Sequence, residues 1–269
     1  MNRMAALAGV IPLMALVVWT PGCKSENDRK PPAEQDVAPV VETVDDDAVA
    51  ILKGAVELLR ATDSFHVVTE SGFDVVQSDG QKIEFGATRR ATIQRPNRAR
   101  FETHRRDGKN VVVVFDGNDM WVYSPTHDVY ARTSQPGGIG DSIELLTEEL
   151  GINAPLSDLY TTDVGSTLAE GLRSCYVVGE STVGGQVCDH VAVRNDYADY
   201  QIWVEKGEQP LLRRIVITYR EEPGEPQFWA NFTEWNMAPA ANSRTFVFQP
   251  PEGSEQIQFQ SIRPPAEEE

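Results

Sequence analysis

Hydrophobic and polar positions along the chain change period several times, and each change marks an element. Over 46–62 (DDAVAILKGAVELLRAT) Val49, Leu52, Val56 and Leu59 recur at helical spacing, widened by Ala48, Ile51 and Ala55. This predicts an amphipathic helix that must lie on an apolar surface. Asp45, Asp46 and Asp47 supply its N-cap and first-turn acids. From Phe65 the period is two. Odd positions carry Phe65, Val67, Phe73 and Val75, then Ile83, Phe85, Ala87, Ala91 and Ile93, and the even positions from Glu84 to Gln94 are polar apart from Gly86. Such strands have one face to a core and one to water. Ala99, Phe101 and Thr103 continue the pattern, and VVVVF at 111–115 reads as a buried strand. Trp121 and Tyr123 share one face of 118–124, and 128–133 pairs back on it.

The middle of the chain breaks the alternation. Gly137-Gly138-Ile139-Gly140 reads as a joint, and Asp141 or Ser142 caps a helix with Ile143, Leu145, Leu146 and Leu150 inward, ended by Gly151. Residues 155–168 read as a further short helical piece. Strands resume near 173, with Gly184-Gly185 as a hairpin turn. Phe228, Ala230 and Phe232 fall on one face, with Trp229 and Trp235 opposite, and Phe246 and Phe248 close the last strand. If Gly184-Gly185 is a two-residue turn, Cys175 faces Arg194 and Cys188 faces Ser181, too far out of register for a disulfide. The fold class is α+β: a strongly curved antiparallel sheet, an incomplete barrel of about ten or eleven strands, with helices on its concave face.

The two ends differ from this body. Met4 to Trp19 is an uncharged apolar stretch after Arg3, too short to span a bilayer at about 20 residues. It leads to Gly22-Cys23, which resembles a bacterial lipobox, so residues 1–22 are expected to be a lipoprotein signal and Cys23 its acylated residue. The alternative is a plain secretory signal with an incidental cysteine. Lys24 follows the cysteine, which leaves an outer-membrane address facing the periplasm. Residues 23–44 form a polar, Pro-containing tether, 45–257 a single domain and 258–269 a disordered tail.

Charge and chemistry exclude more than they assign. The 41 acids and 24 bases give −17 at pH 7, a poor balance for nucleic acid. No P-loop, GxSxG, HExxH or dinucleotide fingerprint is present, the four histidines are scattered, and three cysteines are too few for a Cys-rich zinc site. A non-catalytic protein without cofactor or metal is expected. One cluster runs against the charge: Arg89, Arg90, Arg95, Arg98, Arg100, Arg105 and Arg106 against Glu102 alone. It reads as a solvated face, or as a docking patch for anionic headgroups or an acidic partner. Arg89 stands apart, because its parity puts it on the apolar face, where it must reach solvent, pair or meet a ligand.

The stretch CDHVAVRNDYADYQIWVEKGEQPLLRRIVITYREEPGEPQFWANFTEWNM (188–237), followed by TFVFQPPEGSEQI (245–257), resembles the uncharacterised DUF2092 family of predicted periplasmic proteins. RPNRARFE (95–102) and FDGNDMWVYSPTHDVY (115–130) resemble strand pairs of the wider lipoprotein-carrier superfamily, which includes the LolA and LolB carriers and the regulator RseB. The resemblance implies the bent half-barrel and an apolar ligand class, with no reaction. Two function classes follow. One is a membrane-tethered module holding a hydrophobic ligand, an acyl chain, lipid or lipidated peptide, between sheet and helices. Its candidate cleft residues are Phe65, Phe73, Phe85, Arg89, Phe101, Trp121 and Tyr123. The other is an envelope scaffold or regulatory domain with a filled core that binds a protein partner at its surface.

Overall fold

The computed structural model describes residues 43–149 and 156–259. The signal segment, Cys23 and nearly all of the tether lie outside the described residues, as do the expected helix stop at Gly151 and the end of the tail from 260.

Helix α1 (Asp46–Arg60) begins where the acidic run predicts, with the Asp45 carboxylate accepting from the Asp47 amide at 2.9 Å. Two antiparallel meanders follow. The first is β1 (Ser64–Val76), β2 (Lys82–Gln94), β3 (Arg98–Arg105), β4 (Asn110–Phe115), β5 (Asp119–Ser124) and β6 (Val129–Ser134). The second is β7 (Ser174–Val183), β8 (Gln186–Arg194), β9 (Ala198–Glu205), β10 (Leu212–Tyr219) and β11 (Gln227–Asn236). They join through antiparallel pairing of β1 with β11, and a two-residue β12 (Glu255–Gln256) runs parallel to β6. The result is one curved, unclosed sheet of twelve strands, with β12 and β7 at its ends. The strand beyond the expected eleven is β12, whose two residues carry no alternation to read.

Between the meanders lie α2 (Ile139–Glu144), a π-helical turn at Leu145–Glu149, a 3-10 turn at Ser157–Leu159 and the single-turn α3 (Ser166–Ala169). Helix α2 starts earlier than expected. Gly138 is its N-cap, and Asp141 sits in the first turn, its carboxylate accepting from the Gly138 amide at 2.7 Å. The core lies where the helices meet the sheet. Ala48, Ala55 and Leu59 of α1 and Ile139 and Ile143 of α2 join Phe65, Ile93, Phe115, Val191, Ile202 and Phe232.

Two bulges move residues from their expected partners. Gly184 and Gly185 both adopt positive φ, as a type I′ turn requires, and Cys188 faces Ser181 as the turn dictates. A bulge between Val177 and Gly179 then shifts the register by one, so Cys175 faces Val193; both cysteines are free and buried. A second bulge, at Val68/Thr69 against β11, corrects the expectation for Trp235. Its ring lies beside Phe65 (5.8 Å between centroids) and Phe232 (5.5 Å), on the same face as Phe228, and its indole N–H donates to the Leu212 carbonyl. One extra residue reverses every later side chain.

The other face of the sheet, the outer face, has its own packing. Trp229 lies across the glycine pair Gly72↔Gly86, with Arg214 and Arg106 over its ring at 5.7 and 6.0 Å. A Cβ on Gly72 would come within 2.6 Å of the indole, and one on Gly86 within 2.5 Å of the Arg106 guanidinium. The indole is pinned by its hydrogen bond to Glu84 (2.9 Å), whereas the arginine is the far end of a flexible chain. Gly72→Ala is therefore expected to destabilise the fold by about 1–3 kcal/mol, with Gly86→Ala milder. Equal denaturation midpoints for the two variants would refute this.

Candidate functional site

Side chains on the helix-bearing face of β1 and β2 form ordered rows. Phe65↔Ile93 and Val67↔Ala91 are fully buried. Next come Thr69↔Arg89 and Ser71↔Ala87, then Phe73↔Phe85, and at the hairpin end Val75↔Ile83. Burial falls along this line. Phe73 and Phe85 are half-buried and stack at 5.9 Å and 26°, while Val75 and Ile83 are 38% and 39% exposed. The face thus begins beneath the helices and emerges into solvent with its apolar character intact.

Polar groups interrupt the row at one level. Thr69 and Ser71 are buried, and Thr103 continues the row on β3 opposite Arg89. Arg89 Nη1 donates to Ser71 Oγ, and that hydroxyl donates to the Ala87 carbonyl at 3.2 Å. Burial lowers the Arg89 pKa, Tyr160 opposes the shift, and the like charge of Arg105 adds to it. Tyr160 closes the site from above, with Phe101 edge-on at 5.1 Å. Burial pushes its phenol up to about 12 against the pull of Arg89, so it stays protonated at neutral pH.

The structure brings Phe73, Phe85, Arg89 and Phe101 to this face and buries Phe65 in the core beside Trp235, but it separates Trp121 and Tyr123 from them. Trp121 opposes Val114 and Tyr123 opposes Val112, on the outer face. There Phe248 sits among Trp121, Tyr123 and Tyr130 at 5.5–6.0 Å. Phe246, expected in a strand, lies in a 3-10 turn (Ser243–Phe246) that packs on β3 and is fully buried outside the main core. Asp128 anchors the segment, accepting from Ser254 Oγ at 2.6 Å and Tyr123 Oη at 3.1 Å. The outer-face aromatics are therefore already covered by the C-terminal stretch.

Strand pairing divides the arginines: Arg90, Arg98, Arg100 and Arg106 share the outer face, and Arg89 and Arg105 lie on the helix-bearing face. Arg95 turns inward as a clamp: Nη1 donates to the Leu59 and Thr62 carbonyls (2.6 Å each), Nη2 to Leu159 (3.0 Å) and Nε to Thr161 (3.1 Å). Arg100 pairs with Glu102 at 2.8 Å, Arg105 with Asp107 at 2.8 Å and Arg106 with Glu84 at 3.1 Å. Arg90 and Arg98 are exposed and make no ion pair among the described residues. The polar partners that sequence reading did not single out are Ser71 and Tyr160. Strand parity carries the first; the second comes from a segment without periodicity.

The family model described as "Predicted periplasmic protein (DUF2092)" matches residues 48–260. No curated protein matches. Among solved structures, LprF from Mycobacterium bovis aligns with TM-score 0.47 and 14% identity over 74% of this chain and 97% of its own. The lipoprotein LppX of Mycobacterium tuberculosis gives 0.46 and 16% over 74% and 100%. MucB, in the Pseudomonas aeruginosa MucA/MucB complex, gives 0.40 and 18% over 76% of this chain and 61% of that one.

Proposed function

We propose a binding function for this chain, which belongs to the DUF2092 family of predicted periplasmic proteins: it holds an elongated apolar ligand on the helix-bearing face of its sheet, without catalysis. The observation that carries this is the face itself, buried at Phe65 and Val67, half-open at Phe73 and Phe85 and exposed at Val75 and Ile83. An apolar stripe that continues from a core into solvent is stable in isolation only at a cost, which an apolar chain laid along it removes. Burying a fourteen-carbon chain gives on the order of 10 kcal/mol gross at about 0.8 kcal/mol per CH₂, ample after ordering costs. The groups beside the stripe are an arginine, hydroxyls and a neutral phenol, which orient a ligand and do not activate a nucleophile.

The test is titration with a fluorescent fatty acid. The parent protein is expected to saturate. Phe85→Glu, which places a charge in the open row, is expected to lose binding at least about tenfold while keeping its circular dichroism. Absence of saturable binding by the parent overturns the proposal in favour of a surface that recognises protein.

The apolar N-terminal segment ending at Gly22-Cys23 supports acylation at Cys23 and an outer-membrane position facing the periplasm. Two acyl chains suffice for stable anchoring. Cys23→Ser is expected to move the protein into the soluble fraction or leave its precursor uncleaved; unchanged membrane partitioning and mass would exclude the anchor.

A further inference from the structure

We propose that the ligand carries a single anionic head, held at Arg89, with its tail running outward along β1 and β2 to the hairpin end. This rests on the helix-bearing face being a ligand cleft.

Arg89 is a largely buried arginine on the helix-bearing face that meets no carboxylate among the described residues. Arg100, Arg105, Arg106, Arg132, Arg194 and Arg213 each meet a carboxylate. Arg89 makes no ion pair among the described residues, although the chain has 41 acids for 24 bases. Its hydrogen-bond partner is the neutral Ser71 hydroxyl. Its charged neighbour is Arg105, already engaged by Asp107 through two hydrogen bonds of 3.0 and 2.8 Å. A guanidinium does not escape the cost of burial by losing its proton. It is stabilised by an anion, and its planar fork matches a carboxylate or phosphate oxygen pair. The hydroxyls of Ser71 and Thr103 and the protonated phenol of Tyr160 surround the same level of the sheet. Among the described residues no second unpaired cation stands beside this guanidinium, and one charge selects a singly charged head.

The tail has one way to go. Toward the end of β2, Ala91 and Ile93 are fully buried in the core that the helices share with the sheet, and Trp235 packs on Phe65. In the other direction Ala87, Phe85 and Ile83 become progressively exposed. Residues 89 to 83 span roughly 20 Å at about 3.3 Å per residue, the scale of an extended acyl chain. Head-inward binding follows from this gradient.

The experiment uses the protein as its host makes it, purified and delipidated, titrated with palmitate, methyl palmitate and a lyso-phosphatidylglycerol of the same chain length. The parent is expected to bind an anionic amphiphile about tenfold or more tighter than the ester, as loss of a charge-assisted hydrogen bond implies. Preference for palmitate assigns a carboxylate head; preference for the lysolipid assigns a phosphodiester. Arg89→Gln is expected to bring the anion down to the ester's affinity while leaving the ester unchanged, and Arg89→Lys to restore part of the difference. Ile83→Trp is expected to be quenched by a fatty acid brominated at its terminal carbon and not by one brominated beside the carboxylate. Equal affinity of parent for acid and ester overturns the anionic head and leaves the cleft intact, and reversed quenching overturns the orientation. Binding of neither overturns the cleft itself. Should Arg89→Gln fail to fold, the parent's acid-to-ester ratio decides.

Discussion

Arg95→Met is expected to cost the fold about 3–5 kcal/mol, more than any other arginine substitution in the chain. Its guanidinium donates to four backbone carbonyls from two segments, Leu59 and Thr62 at the end of α1 and Leu159 and Thr161 in the inter-meander connection. The last carbonyls of a helix have no intrahelical partner, and a cation there also meets the negative end of the helix dipole. Its guanidinium carbon lies over the Phe65 ring, 5.2 Å from the centroid. Methionine removes both that cation–π contact and the donors, so the four carbonyls lose a common partner in a partly buried place. Chemical denaturation measures the loss. A change under about 1 kcal/mol, within the range of an exposed ion pair, would show that water replaces the clamp.

Phe246→Ala is expected to cost about 3–5 kcal/mol, the range for a buried phenylalanine. Phe246 is 2% exposed although it belongs to the C-terminal stretch, away from the main core. Val114, which points to the outer face, is likewise completely buried. The effect should reach the neighbouring aromatic group. With the turn displaced, Phe248 leaves Trp121, and tryptophan emission moves to longer wavelength. Fatty-acid binding on the opposite face should persist in the folded fraction. A loss below about 1 kcal/mol would mean that the C-terminal stretch merely decorates the sheet.

Alternation in β1 and β2 made the helix-bearing face legible residue by residue, and it flagged Arg89 through parity alone. It could do so because one face of those strands meets water. In β4 the residues VVVV are apolar on both sides, since the C-terminal stretch covers the outer face there. Nothing in that run says which side of the sheet Trp121 and Tyr123 take, and the structure puts them opposite the cleft residues. Trp235 was misplaced because a bulge inserts one residue into a pattern whose period is two. Linear density overstates the arginine run, because parity sends Arg105 to the helix-bearing face and the turn sends Arg95 into the scaffold, while Arg90, Arg98, Arg100 and Arg106 stay together on the outer face. Tyr160 comes from a connection without regular period, and its place above Arg89 depends on tertiary packing.

The pairing of β1 with β11 has a kinetic consequence. Every other antiparallel neighbour in the sheet is adjacent in the chain, so each meander can zip from its hairpins at small loop-closure cost. The seam instead joins His66 to Asn236 and Phe73 to Phe228, contacts between opposite ends of the domain. Such pairings lower folding rates because the entropy of bringing distant segments together is lost before the contacts reward it. Seam formation should therefore be the late event in refolding. Substitutions at β1–β11 contacts should chiefly accelerate unfolding, whereas those in the β1–β2 and β7–β8 hairpins should slow refolding. A chain emerging N-terminus first from a translocation pore would remain open along this line until Asn236 had followed.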